Sequence, residues 1–153
     1  MKKRKRPPKD KRIPIKGRVG IEERPPQANG KRFGDWEMDT IVGKNGKGAM
    51  LTLYERSTAY GILVPLPEGK HTQGVLKAAW RALLPFKDNV LTITTDNRTE
   101  FAMHEELARR LETKIYFAHP YSSWEKGGVE KYNKLIRQYI PKQMEINNIS
   151  KKK

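Results

Sequence analysis

The chain has 153 residues, enough for one domain with a single core plus tails. Lysine and arginine exceed aspartate and glutamate by 32 − 17 = 15, an excess that favours an anionic polymer as partner, although charge alone does not distinguish DNA from RNA or from an acidic membrane. The absence of cysteine excludes disulfides and thiolate metal sites and fits a reducing cytoplasm, no apolar run is long enough to form a membrane helix, and the basic start is not followed by the apolar stretch of a signal peptide.

Residues 1–18 carry ten Lys or Arg, one acid and three prolines, which predicts a disordered or extended arm suited to nucleic acid and equally to an inert linker. Residues 19–32 are broken by Pro25, Pro26, Asn29 and Gly30 and read as a linker or as chain lying across the domain. The expected organisation is a flexible basic arm and linker over 1–32, a folded core over 33–142 and a frayed tail over 143–153.

Alternation in "FGDWEMDTIVG" predicts a first strand, "AMLTLYE" a second, and "TAYGILVPL" a third after a short turn at Arg56–Ser57. Connections this short favour an antiparallel meander. Thr72 is a candidate cap for a helix whose Val75, Leu76, Ala79, Trp80 and Leu83 recur at helical spacing up to Pro85. "NVLTITT" predicts a buried strand, Phe101 to Leu111 a helix, "KIYFA" a short strand and "HPYSS" a loop. The last helix is expected from Lys126 to Tyr139, with Val129, Tyr132, Ile136, Tyr139 and Ile140 on one stripe and Pro141 as its stop. The order is β-β-β-α-β-α-β-α, an α/β class.

Three acids stand out by placement. Asp39 lies in the first strand, Asp96 at the end of the fourth, and Glu130 in the last helix. Ligands gather at strand ends in α/β sheets, and metal-assisted attack on a phosphodiester uses carboxylates from separate elements aimed at one point. Hard oxygen ligands without cysteine suit magnesium or manganese. Asp35 and Glu37 share the face of Asp39, so alternation by itself does not choose among them.

The blocks "GDWEMDTIVG", "TTDNRTEF" and "PYSSWEKGGVEKYNKLIRQYIPK" resemble the three signature blocks of bacterial insertion-sequence transposases of the insertion-sequence-30 family, which have an integrase core of the DDE type. The likeness runs from about Gly34 to Lys142, and the 33 residues between Asp96 and Glu130 agree with it. It implies a ribonuclease H-like mixed five-stranded sheet flanked by helices, with Asp39, Asp96 and Glu130 as catalytic and metal-binding residues and two Mg2+ or Mn2+ ions. It further implies 3′-end cleavage and strand transfer on double-stranded DNA, by a homo-oligomer when active, in the bacterial cytoplasm at the nucleoid. Lys126, Lys131, Asn133, Lys134, Arg137 and Lys142, on and beside the last helix, are the expected DNA contacts. The family's helix-turn-helix region is not seen before residue 33, so the chain reads as a core. A non-catalytic DNA-binding domain and a structure-specific nuclease of the same fold are the competing readings.

The sequence departs from the family pattern at Arg98 and Lys134, where the pattern has glycine, and at Lys131, where it has asparagine. If the glycine at 98 has a positive φ, Arg98 is strained there. Its guanidinium is also placed to pair with the neighbouring carboxylates, or else to point to solvent and meet only phosphate. Among the other candidates, His104 reads as a surface or capping residue and His71 as a loop residue ahead of a helix. For His119 a structural role ranks ahead of substrate contact. Tyr121 and Trp124 are placed either to stack on bases or to anchor their loop, with anchoring preferred for Trp124.

Overall fold

The computed structural model describes residues 17–44, 48–96, 98–119, 125 and 127–140. The arm at 1–16, the tail, and Asn97, Tyr121, Trp124, Lys126 and Lys142 lie outside the described residues.

Five strands form one mixed sheet: β1 (Asp35–Val42), β2 (Ala49–Glu55), β3 (Tyr60–Leu66), β4 (Thr92–Thr95) and β5 (Lys114–Phe117). Their order is β3-β2-β1-β4-β5. The first three make the expected antiparallel meander, while β4 and β5 run parallel to β1. Helices α1 (Thr72–Leu83) and α2 (His104–Leu111) cover one face, and α3 (Gly127–Tyr139) covers the other. The element order matches the pattern read from the sequence.

Strand β1 is buried on both faces, and its two sets of side chains meet different partners. Trp36 and Met38 join Leu51, Leu53, Ile93, Leu107 and Leu111 in the main core under α1 and α2. Asp35, Glu37, Asp39 and Ile41 face the other way. There Ile41 and Met50 pack with Ile136 and Ile140 in a smaller core at and just beyond the end of α3.

Gly34 is tied to its position by close approach. Its φ is +117°, and a Cβ there would lie 2.9 Å from the carbonyl oxygen of Asn89. That carbonyl also accepts the indole N–H of Trp36 at 3.1 Å, so the entry to β1 is held against the 3-10 turn Leu84–Asn89. Gly128 has a similar reason: a Cβ would lie 2.3 Å from the ring of Tyr54, so α3 approaches β2 closely at its first turn.

Several expectations are corrected. Thr72 does not cap α1; it is the first helical residue, the N-cap is His71, and the Thr72 hydroxyl donates to the carbonyl of Thr99 at 3.1 Å. The fourth strand is shorter than "NVLTITT", because the 3-10 turn runs to Asn89 and the amides of Leu91 and Thr92 both turn to the carbonyl of Gly34. Helix α2 begins at His104, since Thr99–Phe101 forms a separate 3-10 turn. His104 is buried, edge-on to Phe117 with ring centroids 4.8 Å apart. Tyr139 leaves the buried stripe of α3 and is 77% exposed.

Residues 19–32 lie across the domain. Gly20 bridges to Phe117 in parallel, the amide of Phe117 donates to the carbonyl of Val19 at 2.8 Å, and Arg24 donates to the hydroxyl of Thr94 at 3.0 Å. The segment thereby continues the sheet beyond β5.

Leu53 has no exposed surface and Leu135 is 50% exposed. Leu53→Ala should cost about 2–5 kcal/mol, and Leu135→Ala within about 0.5 kcal/mol. Urea unfolding of both variants checks the assignment of the core.

Candidate active site

The acids on the inner face of β1 are graded by what neutralises them. Asp35 is 1% exposed, accepts two bonds from Arg32 at 2.7 and 3.0 Å, and accepts the hydroxyl of Thr92 at 2.7 Å. Glu37 is 2% exposed, accepts the amide of Val129 at 2.8 Å and pairs with Arg56 at 3.3 Å. Both carboxylates are thus engaged within the fold. Asp39 differs, because the parallel register pairs Met38 with Thr95, and β4 ends there. Asp39 is therefore one step beyond the last paired rung, and Asp96 is the corresponding step beyond β4. Parallel neighbours about 4.8 Å apart bring the two residues to a shared rim.

Asp39 keeps two neutral donors. Its Oδ1 accepts its neighbour Thr40's amide at 2.8 Å, and its Oδ2 accepts the side-chain amide of Asn133 at 3.0 Å. A guanidinium also sits at the rim: Arg98 Nη1 is 3.9 Å from Asp39 Oδ1, and Arg98 Nε is 3.5 Å from Asp96 Oδ2. The backbone of Arg98 is extended, with φ −117° and ψ 151°. The strain expected at a positive φ is therefore absent, and the pairing with carboxylates is the consequence observed.

Glu130 lies in the first turn of α3, partly exposed, between two of the residues through which β1 holds that helix. Val129 donates its backbone amide to Glu37, and Asn133 donates its side chain to Asp39. Among the described residues no three His, Asp or Glu side chains are grouped closely enough to hold a metal ion. Asp39 and Asp96 are brought together, while Glu130 is placed one turn from the residue that touches Asp39.

Of the expected DNA contacts, Lys131 and Lys134 are exposed on α3. Asn133 and Arg137 have partners within the fold. Arg137 donates to the carbonyl of Val42 at 2.7 Å and braces the end of β1 against α3.

Glu37 and Arg56 were not singled out from the sequence. A signal existed: the first amides of α3, like those of any helix, have no acceptor within the helix. Glu37 supplies one, with a negative charge at the positive end of the helix.

His119 bridges two acids, Glu22 through Nε2 at 2.9 Å and Glu125 through Nδ1 at 3.0 Å. The bond to Glu125, then that carboxylate's charge, and then Glu22 raise its pKa above the ordinary 6.5. The bridge ties the turn Ile21–Glu23 to the segment leading into α3, the structural role preferred for this residue.

No family model matches the chain. It is 50% identical over 139 residues to the transposase for insertion sequence element IS4351 of Bacteroides fragilis, an alignment covering 90% of this chain and 42% of that protein. It is 37% identical over 116 residues to the transposase for insertion sequence element IS30A of Escherichia coli K12, covering 74% of this chain and 30% of that one. The chain is a relative of the insertion-sequence transposases. It spans less than half the length of either. In structure, this transposase relative is similar to the catalytic core domain of HTLV-2 integrase in complex with magnesium, with a TM-score of 0.54 at 17% identity over 69% of this chain and 67% of that one. The fold is that of an integrase catalytic core, ribonuclease H-like, as the sequence blocks implied.

Two predictions follow from the contacts of β1 and His119 in this transposase relative. Glu37→Ala should destabilise the domain by about 2–3 kcal/mol, the scale of a charge-assisted bond whose donor is left buried. Hydrogen exchange at Val129 should accelerate more than at Leu53. For His119 the folded pKa is raised, so the bridge stabilises the fold fully below about pH 6.5 and is lost as pH rises through the raised value. NMR titration should show the His119 midpoint above 6.5, and the protection of amides in residues 19–23, taken relative to the base-catalysed intrinsic exchange rate, should fall with pH in the native chain but not in His119→Gln.

Proposed function

We propose that this chain is the catalytic core of an insertion-sequence transposase, cleaving DNA 3′ ends and joining them to target DNA with a divalent metal. The observation that carries the reading is the convergence of Asp39 and Asp96 where β4 ends beside β1. These are two of the three acids that the resemblance assigned to catalysis, and the rim of parallel strands is where α/β sheets bind ligands. The chain's likeness to transposases over 90% of its length supports the same conclusion.

The residues present suit magnesium or manganese. The donor set of Asp39, Asp96 and Glu130 is all hard oxygen. A cationic group of Arg98 already lies against two of these carboxylates, so the site attracts positive charge. The buried Oδ1 of Asn133 also lacks a partner. A metal held by these residues would activate the attacking hydroxyl and stabilise the leaving oxygen.

The chain's own residues prepare this. Asn133 and the amide of Thr40 orient the Asp39 carboxylate. The Glu37–Val129 bond fixes the first turn of α3 and so the height of Glu130 above the sheet. Lys131 and Lys134 face solvent on the same helix, where they meet DNA phosphates and draw in the duplex by charge. Lys126, Lys142 and the basic arm are proposed to add to that contact. The active form is proposed to be a homo-oligomer in the cytoplasm, with Leu135 and Tyr139 giving α3 exposed apolar surface. No described helix is long and apolar enough to cross a membrane.

A second reading, a DNA-binding domain with impaired catalysis, is favoured by one observation: Arg98 pairs with both aspartates. Single-turnover reactions on a transposon-end duplex with Mn2+ separate these readings. Asp96→Asn should lower cleavage a hundredfold or more, roughly 3 kcal/mol of transition-state stabilisation, while duplex binding persists. Joined products distinguish a transposase from a nuclease. Equal rates for the native chain and Asp96→Asn would favour the second reading.

A further inference from the structure

The position of Arg98 bears on how many cations the site takes. This inference rests on the reading of Asp39 and Asp96 as metal ligands. The Arg98 guanidinium spans the two aspartates, 3.9 Å from one and 3.5 Å from the other, with its side chain 44% exposed.

The segment that carries it is held on every side. The amide of Arg98 donates to the carbonyl of Asp96 at 2.9 Å, and the amide of Phe101 donates to the carbonyl of Arg98 at 3.0 Å. The hydroxyl of Thr72 donates to the carbonyl of Thr99 at 3.1 Å, which ties the turn to α1. Glu100, 4% exposed, accepts the hydroxyl of Thr40 at 3.0 Å, which ties the turn to β1 one residue from Asp39. The backbone is extended, so no backbone strain opposes this placement of the guanidinium.

We propose that Arg98 is a tethered counter-cation that takes the position shared by Asp39 and Asp96, so that the native site accepts one divalent ion where it would otherwise accept two. Two carboxylates from adjacent strands repel unless a positive charge lies between them. In this chain the side chain supplies that charge. A metal entering the shared position must displace a fixed guanidinium from both carboxylates. An ion held through Glu130 and one aspartate displaces the guanidinium from at most one carboxylate. Charge supports the same count: three carboxylates are balanced by one divalent ion and one guanidinium.

The test is Mn2+ binding, followed by electron paramagnetic resonance of the free ion, in the native chain, Arg98→Ala, Arg98→Gln and each of these with Asp96→Asn. The native chain should bind one ion. Arg98→Ala and Arg98→Gln should each bind a second, or bind Mn2+ about tenfold more tightly, the scale of a charged contact at a half-exposed site. Asp96→Asn should remove that gain. With chelator present, Arg98→Ala should melt below the native chain and recover on adding Mn2+, whereas the native melting temperature should change little. Equal stoichiometry and affinity in the native chain and both Arg98 variants would overturn the proposal. If Asp96→Asn still weakened Mn2+ binding in that case, the metal-site reading would survive without it. No effect of Asp96→Asn in any background would remove both.

Discussion

The bond from the amide of Val129 to Glu37 is the contact on which the arrangement of the site depends. It joins the central strand to the first turn of the helix that carries Glu130. The helix opens on two glycines, one of which lets α3 settle against Tyr54. Glycines give the close approach, and the first amides of the helix have no acceptor within it. A buried carboxylate from β1 supplies one, and Arg56 compensates its charge from the turn after β2. Strand, helix and turn are thus joined at one ionised group, and the neighbouring Asn133–Asp39 bond lies one helical turn further along the same seam.

This seam explains why three acids on one face of β1 differ in character. Asp35 and Glu37 lie inside the paired part of the sheet, where an ionised group survives only with dedicated partners, and each has an arginine. Asp39 lies where β4 has ended. Neutral donors orient it without cancelling its charge, and a guanidinium from a separate loop lies 3.9 Å from it. Position along a single strand, measured against the length of its neighbour, separates carboxylates paired inside the sheet from one at its rim.

The polar segment before the sheet is part of this construction. Arg24 and Arg32 reach Thr94 and Asp35, and Glu22 meets His119 beside the approach to α3. Residues with the composition of a linker are recruited because the buried polar groups of β1 and β4 need partners that the apolar elements lack.

The class of fold, the order of eight elements and the pairing of the first three strands were legible in the sequence, because hydrophobic periodicity and short turns are local properties. Asp39, Asp96 and Glu130 were proposed from their motif blocks, and not from alternation, which treats Asp35, Glu37 and Asp39 alike. What depended on tertiary structure was every choice made by a distant partner. Thr72 bonds the Thr99 carbonyl instead of capping its helix, His104 is buried against Phe117, and Arg137 turns inward to Val42. Arg98 is the clearest case. Its chemistry was evident, but its backbone conformation and its place between two aspartates were decided by where β4 stops pairing with β1, a relation between strands 57 residues apart in their paired register that no local pattern encodes.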